Sequence, residues 1–216
     1  ADGFSFFVNA PLNGELIHRE DYTLHEGESM SHKLGNMLVQ PTMQDLTYDK
    51  VQVIVDSPST LIPEEEFNAN EVENCYGCVF SDVDIHTHRV CSTPLPSLFV
   101  VVLFSLPHDV YDTITNLMPQ ATFTSVFATT LSSFADYSTK HDFAEPPLFV
   151  YLQTNQMLLY SVFRGKLLFA NSFSKDNIQN TLYFLLSVWK ILKFDARVNH
   201  CIISGDDTAL TTSLAD

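Results

Sequence analysis

The residues best suited to binding a metal are three cysteines and two histidines: Cys75, Cys78, His86, His88 and Cys91. A structural Zn²⁺ site needs four Cys or His ligands that converge as a tetrahedron. Cys75 and Cys78 are separated like a zinc ligand pair, but the later spacing matches no standard zinc finger. The pattern therefore favours residues without a metal. A zinc-binding protein that uses Cys75 and Cys78 is kept as the weaker alternative.

Candidate nucleophiles and phosphate ligands lack the neighbours that their chemistry needs. Ser57, Ser204 and Cys201 have no flanking nucleophile-elbow glycines. The sequence contains no P-loop pattern, and seven glycines are few for a glycine-rich phosphate cradle. Asp206 and Asp207 form a carboxylate pair that would suit a divalent ion, but a solvated turn after a strand explains them more simply. We expect no catalytic residues and no bound metal.

The elements that would position a site are clearest in the last third of the chain. Apolar runs at 148–152, 157–163 and 166–173 predict three strands, and Arg164 with Gly165 predicts a tight turn between the last two. The run at 166–173 is too apolar for a half-solvated strand. We therefore expect it to be covered on both faces and to lie in the middle of a sheet.

A helix is predicted after these strands, from Ser174, whose side chain would cap the first turn, to about Phe194. Four apolar residues recur at helical spacing and are expected to be largely buried: Leu182, Leu185, Leu186 and Trp189. A last strand at 200–203 completes the order strand, strand, strand, helix, strand.

The beginning of the chain repeats part of this order. The pattern predicts a hairpin with strands at 3–8 and 15–19 and a turn at 11–14, a helix at 29–39 and a strand at 50–55. Two copies of one order suggest a duplicated ribonuclease H-like fold, a mixed α/β class. In such a duplication the first copy would have a further strand ahead of Ala1.

The middle of the chain alternates strands and helices, and a polar, proline-rich segment at 142–147 marks the best boundary. The expected elements are an extended stretch at 61–63, a helix that includes Phe67, Val72 and Cys75, strands at 98–105 and 121–127, and helices at 106–118 and 129–137. We therefore predict a first ribonuclease H-like half at 1–147 and a second at 148–216.

Composition and charge exclude several classes of protein. Residues 1–147 carry 5 Lys and Arg against 21 Asp and Glu, a net charge of −16, while residues 148–216 carry 6 against 5, a net charge of +1. The acidic part repels phosphate backbones, so we expect no nucleic acid partner. No apolar run approaches the ~20 residues of a membrane span. Four cysteines, no visible leader and no disulfide pattern predict a cytoplasmic protein, and the missing initiator Met predicts clipped ends.

Three segments resemble an uncharacterised bacterial family, domain of unknown function 3822. They are the stretch DGFSF at 2–6, LFSLP at 103–107 and GKLLFANSF at 165–173. The resemblance covers most of the chain, and the last segment is the most specific. It implies an actin-like ATPase fold in which two ribonuclease H-like halves flank a cleft. It implies no activity, because none is established for the family.

Actin-like ATPases hold nucleotide on two phosphate turns that contain Asp and Gly. In this sequence the resemblance places Asp2 and Gly3 in the first turn and Thr154 and Asn155 in the second, which has neither a glycine nor a carboxylate. Gly205 alone stands where a pair of glycines would hold adenosine. A nucleotide site built from these five residues would be degenerate.

The sequence and the resemblance together favour a non-catalytic actin-like module that acts through contacts with an unknown protein partner. We expect no cofactor, no nucleic acid and no membrane, and the sequence leaves the oligomeric state open. The alternatives are a nucleotide-binding actin-like ATPase with a degenerate site and the zinc-binding protein described above.

Overall fold

The structure is a computed structural model that describes residues 3–10, 14–44 and 48–205, apart from the side chains of Thr42 and Gln44. Its strands are β1 (Gly3–Asn9), β2 (Leu16–Thr23), β3 (Val51–Val55), β4 (Ser59–Pro63), β5 (His88–Leu95), β6 (Val100–Pro107), β7 (Ala121–Ser125), β8 (Leu148–Leu152), β9 (Gln156–Phe163), β10 (Lys166–Ser174) and β11 (Cys201–Gly205). Its α-helices are α1 (Met30–Leu38), α2 (Pro41–Gln44), α3 (Val72–Val79), α4 (His108–Leu117), α5 (Val126–Lys140) and α6 (Ile178–Ile191).

The second half contains a four-stranded sheet in the order β10-β9-β8-β11. β8 is antiparallel to β9 and parallel to β11, and β9 is antiparallel to β10. The predicted tight turn is confirmed, since Arg164 and Gly165 both have positive φ, at 51° and 74°, as a two-residue hairpin requires. The predicted order of strand, strand, strand, helix, strand is therefore present.

The prediction that the 166–173 strand lies in the middle of a sheet is wrong, because β10 is an edge strand among the described strands. Both of its faces are nevertheless covered. Leu167 and Ala170 pack on one hydrophobic cluster, and Phe169 and Phe173 pack on another. Leu168 lies where the register with β9 shifts and is 46% exposed.

Helix α6 begins later than predicted. Ser174 is still paired with Gln156 as the last residue of β10, so it cannot cap the helix. Asn177 is the cap instead, and its side chain accepts a hydrogen bond from the Asn180 amide at 2.9 Å. The helix ends at Ile191, three residues before the predicted Phe194.

The burial predicted for α6 is only partly correct. Leu185 is 8% exposed, but Leu182 and Leu186 are 39% and 60% exposed. Trp189 is half-buried against the sheet, and Val188 and Thr181 face the core instead. The helix thus has apolar residues on its exposed side as well as on its buried side.

The first half contains two small sheets over one pair of helices. β1 pairs antiparallel with β2, and β3 pairs parallel with β7. Residues from all four strands pack on a single cluster whose buried members include Met37 and Leu38 of α1 and Val110 and Ile114 of α4. A separate antiparallel sheet in the order β4-β6-β5 packs on α3 around Tyr76, which is 0% exposed.

Several predicted boundaries shift in the first half. β7 ends at Ser125, whose side chain accepts a hydrogen bond from the Ala128 amide at 3.1 Å and caps α5. Phe127, predicted in the strand, is therefore helical. Phe67 lies before α3 rather than in it, and the strand β5 runs from His88 to Leu95, ahead of the predicted strand at 98–105. The turn at 11–14 lies outside the described residues except for Gly14, as does any strand ahead of Ala1.

Helix α5 joins the two predicted halves in one core. Phe127 and Leu131 of α5 share a cluster with Phe149, Leu158 and Tyr160 of the second-half sheet. The Tyr160 hydroxyl also donates to the Phe127 carbonyl at 3.1 Å and lies 2.7 Å from Thr130 Oγ1. The boundary at 147 stays a prediction, but the hydrophobic core spans it.

Candidate functional site

The ends of strands from both halves meet at Asp56, which follows β3. Gln156 Nε2 donates to Asp56 Oδ1 at 2.7 Å, and Gln153 Nε2 donates to Asp56 Oδ2 at 3.2 Å. Gln153 follows β8 and Gln156 starts β9, so both amides come from the turn that the resemblance assigned to phosphate. The second-half turn therefore holds a first-half carboxylate with two neutral amides.

Two polar atoms beside this contact have no partner among the described residues. Ser57 Oγ and Gln153 Oε1 are both buried. Among the described residues, the Ser57 hydroxyl neither donates nor accepts a hydrogen bond, and the Gln153 amide oxygen accepts none. An unpaired buried polar atom destabilises the folded state by about 1–3 kcal/mol, so each of these atoms has hydrogen-bonding capacity that the described residues leave unused.

The crevice at Asp56 is too small for a nucleotide. Its side chains, Asp56, Ser57, Ser59, Phe127, Gln156, Leu158 and Ser172, surround about 180 Å³ of space that includes open solvent, and none of it holds a water-sized sphere. Ligand pockets are typically about 300–1,000 Å³. A larger groove, with about 850 Å³ of space that likewise includes open solvent, lies elsewhere, between the end of α5 and the β9–β10 turn, and is lined by none of the predicted site residues.

The structure brings only some of the predicted nucleotide residues near this contact. Thr154 and Asn155 are exposed in the turn beside Gln153, and the Asn155 carbonyl accepts from the Lys175 amide at 2.9 Å. Gly205 ends β11 and pairs with Leu152, the residue before Gln153. Gly3 starts β1 and pairs with Thr23. Asp2 lies outside the described residues, as do Asp206 and Asp207.

Gly205 is a glycine for a reason that the strand pairing supplies. Its φ is 140°, and a Cβ added there would lie 2.0 Å from the Leu152 carbonyl oxygen and 2.6 Å from the Leu152 nitrogen. The missing side chain lets β11 approach β8 at the end of the sheet. This close approach explains Gly205 without a nucleotide.

The cysteines and histidines of the zinc alternative lie on helix α3, on strand β5 and, for His86, in the loop between them. Cys75 and Cys78 are exposed on α3, and Cys91 is half-buried on β5, where burial raises the pKa of its thiol to about 11. His88 Nδ1 lies 3.0 Å from Thr87 Oγ1 and 3.2 Å from the Asp84 carbonyl oxygen. Within the described ranges, no three His, Cys, Asp or Glu side chains are grouped as metal ligands would be.

The exposed side of α6 is an apolar surface that we call the α6 face. It consists of Ile178, Leu182, Tyr183 and Leu186, which are 40%, 39%, 66% and 60% exposed. Tyr183 also makes an edge-on contact with Phe184, with ring centroids 5.4 Å apart. Lys190 follows the α6 face along the helix and is exposed, with no ion pair to any residue that the structure describes.

Sequence reasoning missed Asp56 because a lone aspartate after a strand has no distinctive spacing. A signal was available, since the predicted strand at 50–55 ends directly before it. In open α/β sheets, ligand sites form outside the carboxyl ends of strands. Applied to the strands at 50–55 and 148–152, this rule predicts that Asp56 lies close to the turn that follows residue 152.

Two solved structures have folds similar to that of this chain. A crystal structure from Bacteroides thetaiotaomicron VPI-5482, described as a protein with actin-like ATPase fold and unknown function, is 23% identical with a TM-score of 0.83, and the match covers 99% of this chain and 83% of that chain. The chain therefore has the actin-like ATPase fold. The PilM–PilN type IV pilus biogenesis complex is 12% identical with a TM-score of 0.42, over 90% of this chain and 64% of that chain. This structural similarity is too weak to support a further statement.

Two other findings complete the comparison. No curated protein matches the chain. Among the helices that the structure describes, none has both the length and the apolar character needed to cross a membrane. The model of a family described as "Protein of unknown function (DUF3822)" matches residues 1–214, and the chain belongs to this family.

Proposed function

We propose that this chain is a non-catalytic actin-like module that acts through contacts with other proteins. The observation that carries the proposal is the pair of hydrogen bonds from Gln153 and Gln156 to the Asp56 carboxylate. Nucleotide hydrolysis needs backbone donors for phosphate and carboxylates that hold Mg²⁺ through its water shell. Here the carboxylate is taken by amides of the same protein, and the turn that supplies them carries no charge.

The α6 face supports the second part of the proposal. Exposed apolar residues that are contiguous on one surface commonly mark a site of protein–protein contact. Leu182 and Leu186 are four residues apart, one helical turn, so they form a stripe that a partner side chain would cover. We also propose a cytoplasmic location, which the four free thiols support, since disulfides are rare in reducing compartments.

A degenerate nucleotide-binding ATPase is the second candidate, and one observation favours it. Ser57 Oγ and Gln153 Oε1 are unpaired and buried next to Asp56, so this place has unused hydrogen-bonding capacity. Movement of the glutamines away from Asp56 would free a carboxylate and open the crevice.

Thermal unfolding with excess Mg-ATP separates the two candidates. A ligand that binds only the folded state at 100 times its dissociation constant adds about 2.7 kcal/mol to stability. For a chain of this size that raises the melting temperature by about 5–10 °C. We expect no rise, because the crevice has no room and the second-half turn has no charge for a metal.

Inorganic phosphate and an Asp56→Ala variant are the controls for this measurement. A rise with Mg-ATP that is absent with phosphate, and that is lost in Asp56→Ala, would contradict the non-catalytic proposal and favour the ATPase.

Affinity capture tests the protein-contact part. Leu186→Asp places a charge on the α6 face, where Leu186 is 60% exposed, so we expect it to abolish partner capture from native lysate while changing stability by less than about 0.5 kcal/mol. Val79→Asp is the matched control, since Val79 is 56% exposed on α3. Equal capture by the wild type and both variants would show that the α6 face is not the contact surface.

A further inference from the structure

The groove between the end of α5 and the β9–β10 turn is a surface that the proposed function leaves unused, and we call it the α5 groove. It is lined by residues 138–143 on one side and by residues 163–165 on the other. About 850 Å³ of space lies between these walls, open solvent included. Helix α6 contributes no residue to this lining, so the α5 groove and the α6 face are separate surfaces.

The walls of the α5 groove are held in place by hydrogen bonds and by packing. The Ser138 hydroxyl donates to the Val162 carbonyl at 2.7 Å, which ties the end of α5 to β9. The His141 amide donates to the Tyr137 carbonyl at 3.1 Å, and the two rings stack with their centroids 3.7 Å apart. Phe143 packs on the hydrophobic cluster that α5 shares with the second-half sheet. A ligand therefore meets a preformed surface and loses little free energy in ordering it.

Three cations lie at the α5 groove. Lys140 and Arg164 belong to its lining. Lys166 pairs across the hairpin with Phe163, which also lines the groove, so the two side chains lie on the same face of the hairpin. None of the three cations has an ion pair with a residue that the structure describes. The last carbonyls of α5 carry a partial negative charge, which Lys140 offsets at that end of the helix.

Cations without carboxylate partners are unusual in a chain this acidic. The sequence has 26 Asp and Glu for 11 Lys and Arg, so each cation has many possible partners. Arg19 is paired with Asp21 at 2.9 Å. Lys33 is paired with Glu28 at 2.8 Å. At the α5 groove, by contrast, the carboxylate among the described lining residues is Asp142, so the positive charge exceeds the negative charge and an anionic ligand would neutralise the difference.

Arg164 is the best-placed of these cations. It has a φ of 51° in the tight turn, and its guanidinium carbon lies over the Phe163 ring, 4.7 Å from the ring centroid. The planar guanidinium offers paired N–H donors that match the two oxygens of a carboxylate. Phe143 and Phe163 add apolar surface to the same groove. The groove thus combines donors for carboxylates with a surface for an apolar side chain.

We propose that the α5 groove binds an acidic peptide segment of a protein partner, with two or more Asp or Glu side chains beside an aromatic or aliphatic one. The carboxylates pair with Lys140, Arg164 and Lys166, and the apolar side chain packs on Phe143 and Phe163. Recognition of acidic motifs by clustered cations is a recurring mode of peptide binding.

The shape and charge of the surface favour a peptide over other anions. The groove is open to solvent, whereas small-molecule sites bury most of their ligand. A nucleic acid carries a long polyanionic backbone, which the net charge of −16 on residues 1–147 repels. A short acidic segment needs only the few cations that the groove supplies.

The test is fluorescence anisotropy with the labelled pentapeptide Glu-Glu-Phe-Glu-Glu, blocked at both ends. We expect Arg164→Gln and Lys140→Gln each to weaken binding by about two- to fivefold, the range for one exposed ion pair. Asp142→Asn removes the opposing charge, so we expect it to strengthen binding by about twofold. Tighter binding cannot result from a folding defect, so this variant tests the groove even if the others lose stability.

The control peptide Gln-Gln-Phe-Gln-Gln has the same length and the same ring without the charges, and we expect it to bind about tenfold more weakly. Because the α5 groove is a second contact surface within the proposed function, Leu186→Asp on the α6 face is the control variant. It should bind the probe as the wild type does, so that failure of one surface is distinguished from failure of the other.

Four results would overturn the proposal. They are equal binding of the two peptides, equal binding by the wild type, Arg164→Gln and Asp142→Asn, loss of binding in Leu186→Asp alone, and no binding by the wild type at about 1 mM peptide. Tighter binding of a five-nucleotide single strand than of the acidic peptide would also overturn it, in favour of a nucleic acid.

Discussion

Gly205 is the residue whose chemistry the structure explains most directly. A methyl group there would lie within 2.0 Å of the Leu152 carbonyl oxygen, at a φ of 140° that favours glycine. We expect Gly205→Ala to lower the free energy of unfolding by about 1–3 kcal/mol, because β11 must move away from β8 or change its backbone. Urea unfolding of the variant and the wild type measures the difference.

Gly77→Ala is the matched control for this prediction. Gly77 lies in α3, and its added Cβ would meet only the Ile85 Cγ2 atom at 3.8 Å, an ordinary contact. Alanine is the better helix former, so we expect this variant to be as stable as the wild type or more stable by up to about 1 kcal/mol. Equal effects of the two substitutions would show that the close approach to Leu152 is not the reason for Gly205.

Single residues are the scale at which the sequence predicts least about the site. Gly205 is conspicuous because glycine is rare in this chain, but the family resemblance associated it with adenosine rather than with a strand contact. Asp56 has no motif at all, and its role depends on Gln153 and Gln156, which are about 100 positions away. Contacts of this kind follow from the arrangement of strands, so they become visible only once the strands are placed.

At the scale of elements, periodicity predicts helix α6 but not which side of it faces the core. Leu185 and Leu186 are adjacent in sequence and equally apolar, yet they are 8% and 60% exposed. We expect Leu185→Ala to cost about 2–5 kcal/mol, because it leaves a cavity between the helix and the sheet. Leu186→Ala should change stability by less than about 0.5 kcal/mol. Chemical denaturation of both variants makes the comparison, and similar losses would mean that α6 packs in another rotation.

The strand β10 shows that an apolar run indicates contacts on the faces of a strand but not the position of that strand in its sheet. The run at 166–173 is apolar because both of its faces are covered, by Leu167 and Ala170 on one side and Phe169 and Phe173 on the other. Coverage of the faces says nothing about the edges, which depend on how many strands lie on each side. The sequence therefore predicts apolar contacts on both faces correctly, although no residue of β10 is fully buried, and it predicts the position of the strand in the sheet wrongly.

At the scale of the whole molecule, the fold class, the repeated order and the family are all predictable from the sequence. The core shared by both halves is not, because it depends on α5 packing on β9 across the predicted boundary. Leu131 of α5 is 0% exposed and belongs to the same cluster as Phe149 and Leu158. The hydrophobic core therefore continues across the predicted boundary at 147.

This shared core predicts that the chain unfolds in one transition. The single tryptophan, Trp189, packs in the second-half cluster and reports on that half alone, whereas circular dichroism reports on both. Leu131→Ala, a substitution in the first half, should cost about 2–5 kcal/mol and shift the two signals together. Leu117→Ala, at a residue that is 38% exposed on α4, should shift neither by more than about 0.5 kcal/mol. A tryptophan transition that stays in place while the circular dichroism transition moves would mean that α5 does not couple the halves, and that the residues on either side of 147 fold as separate units.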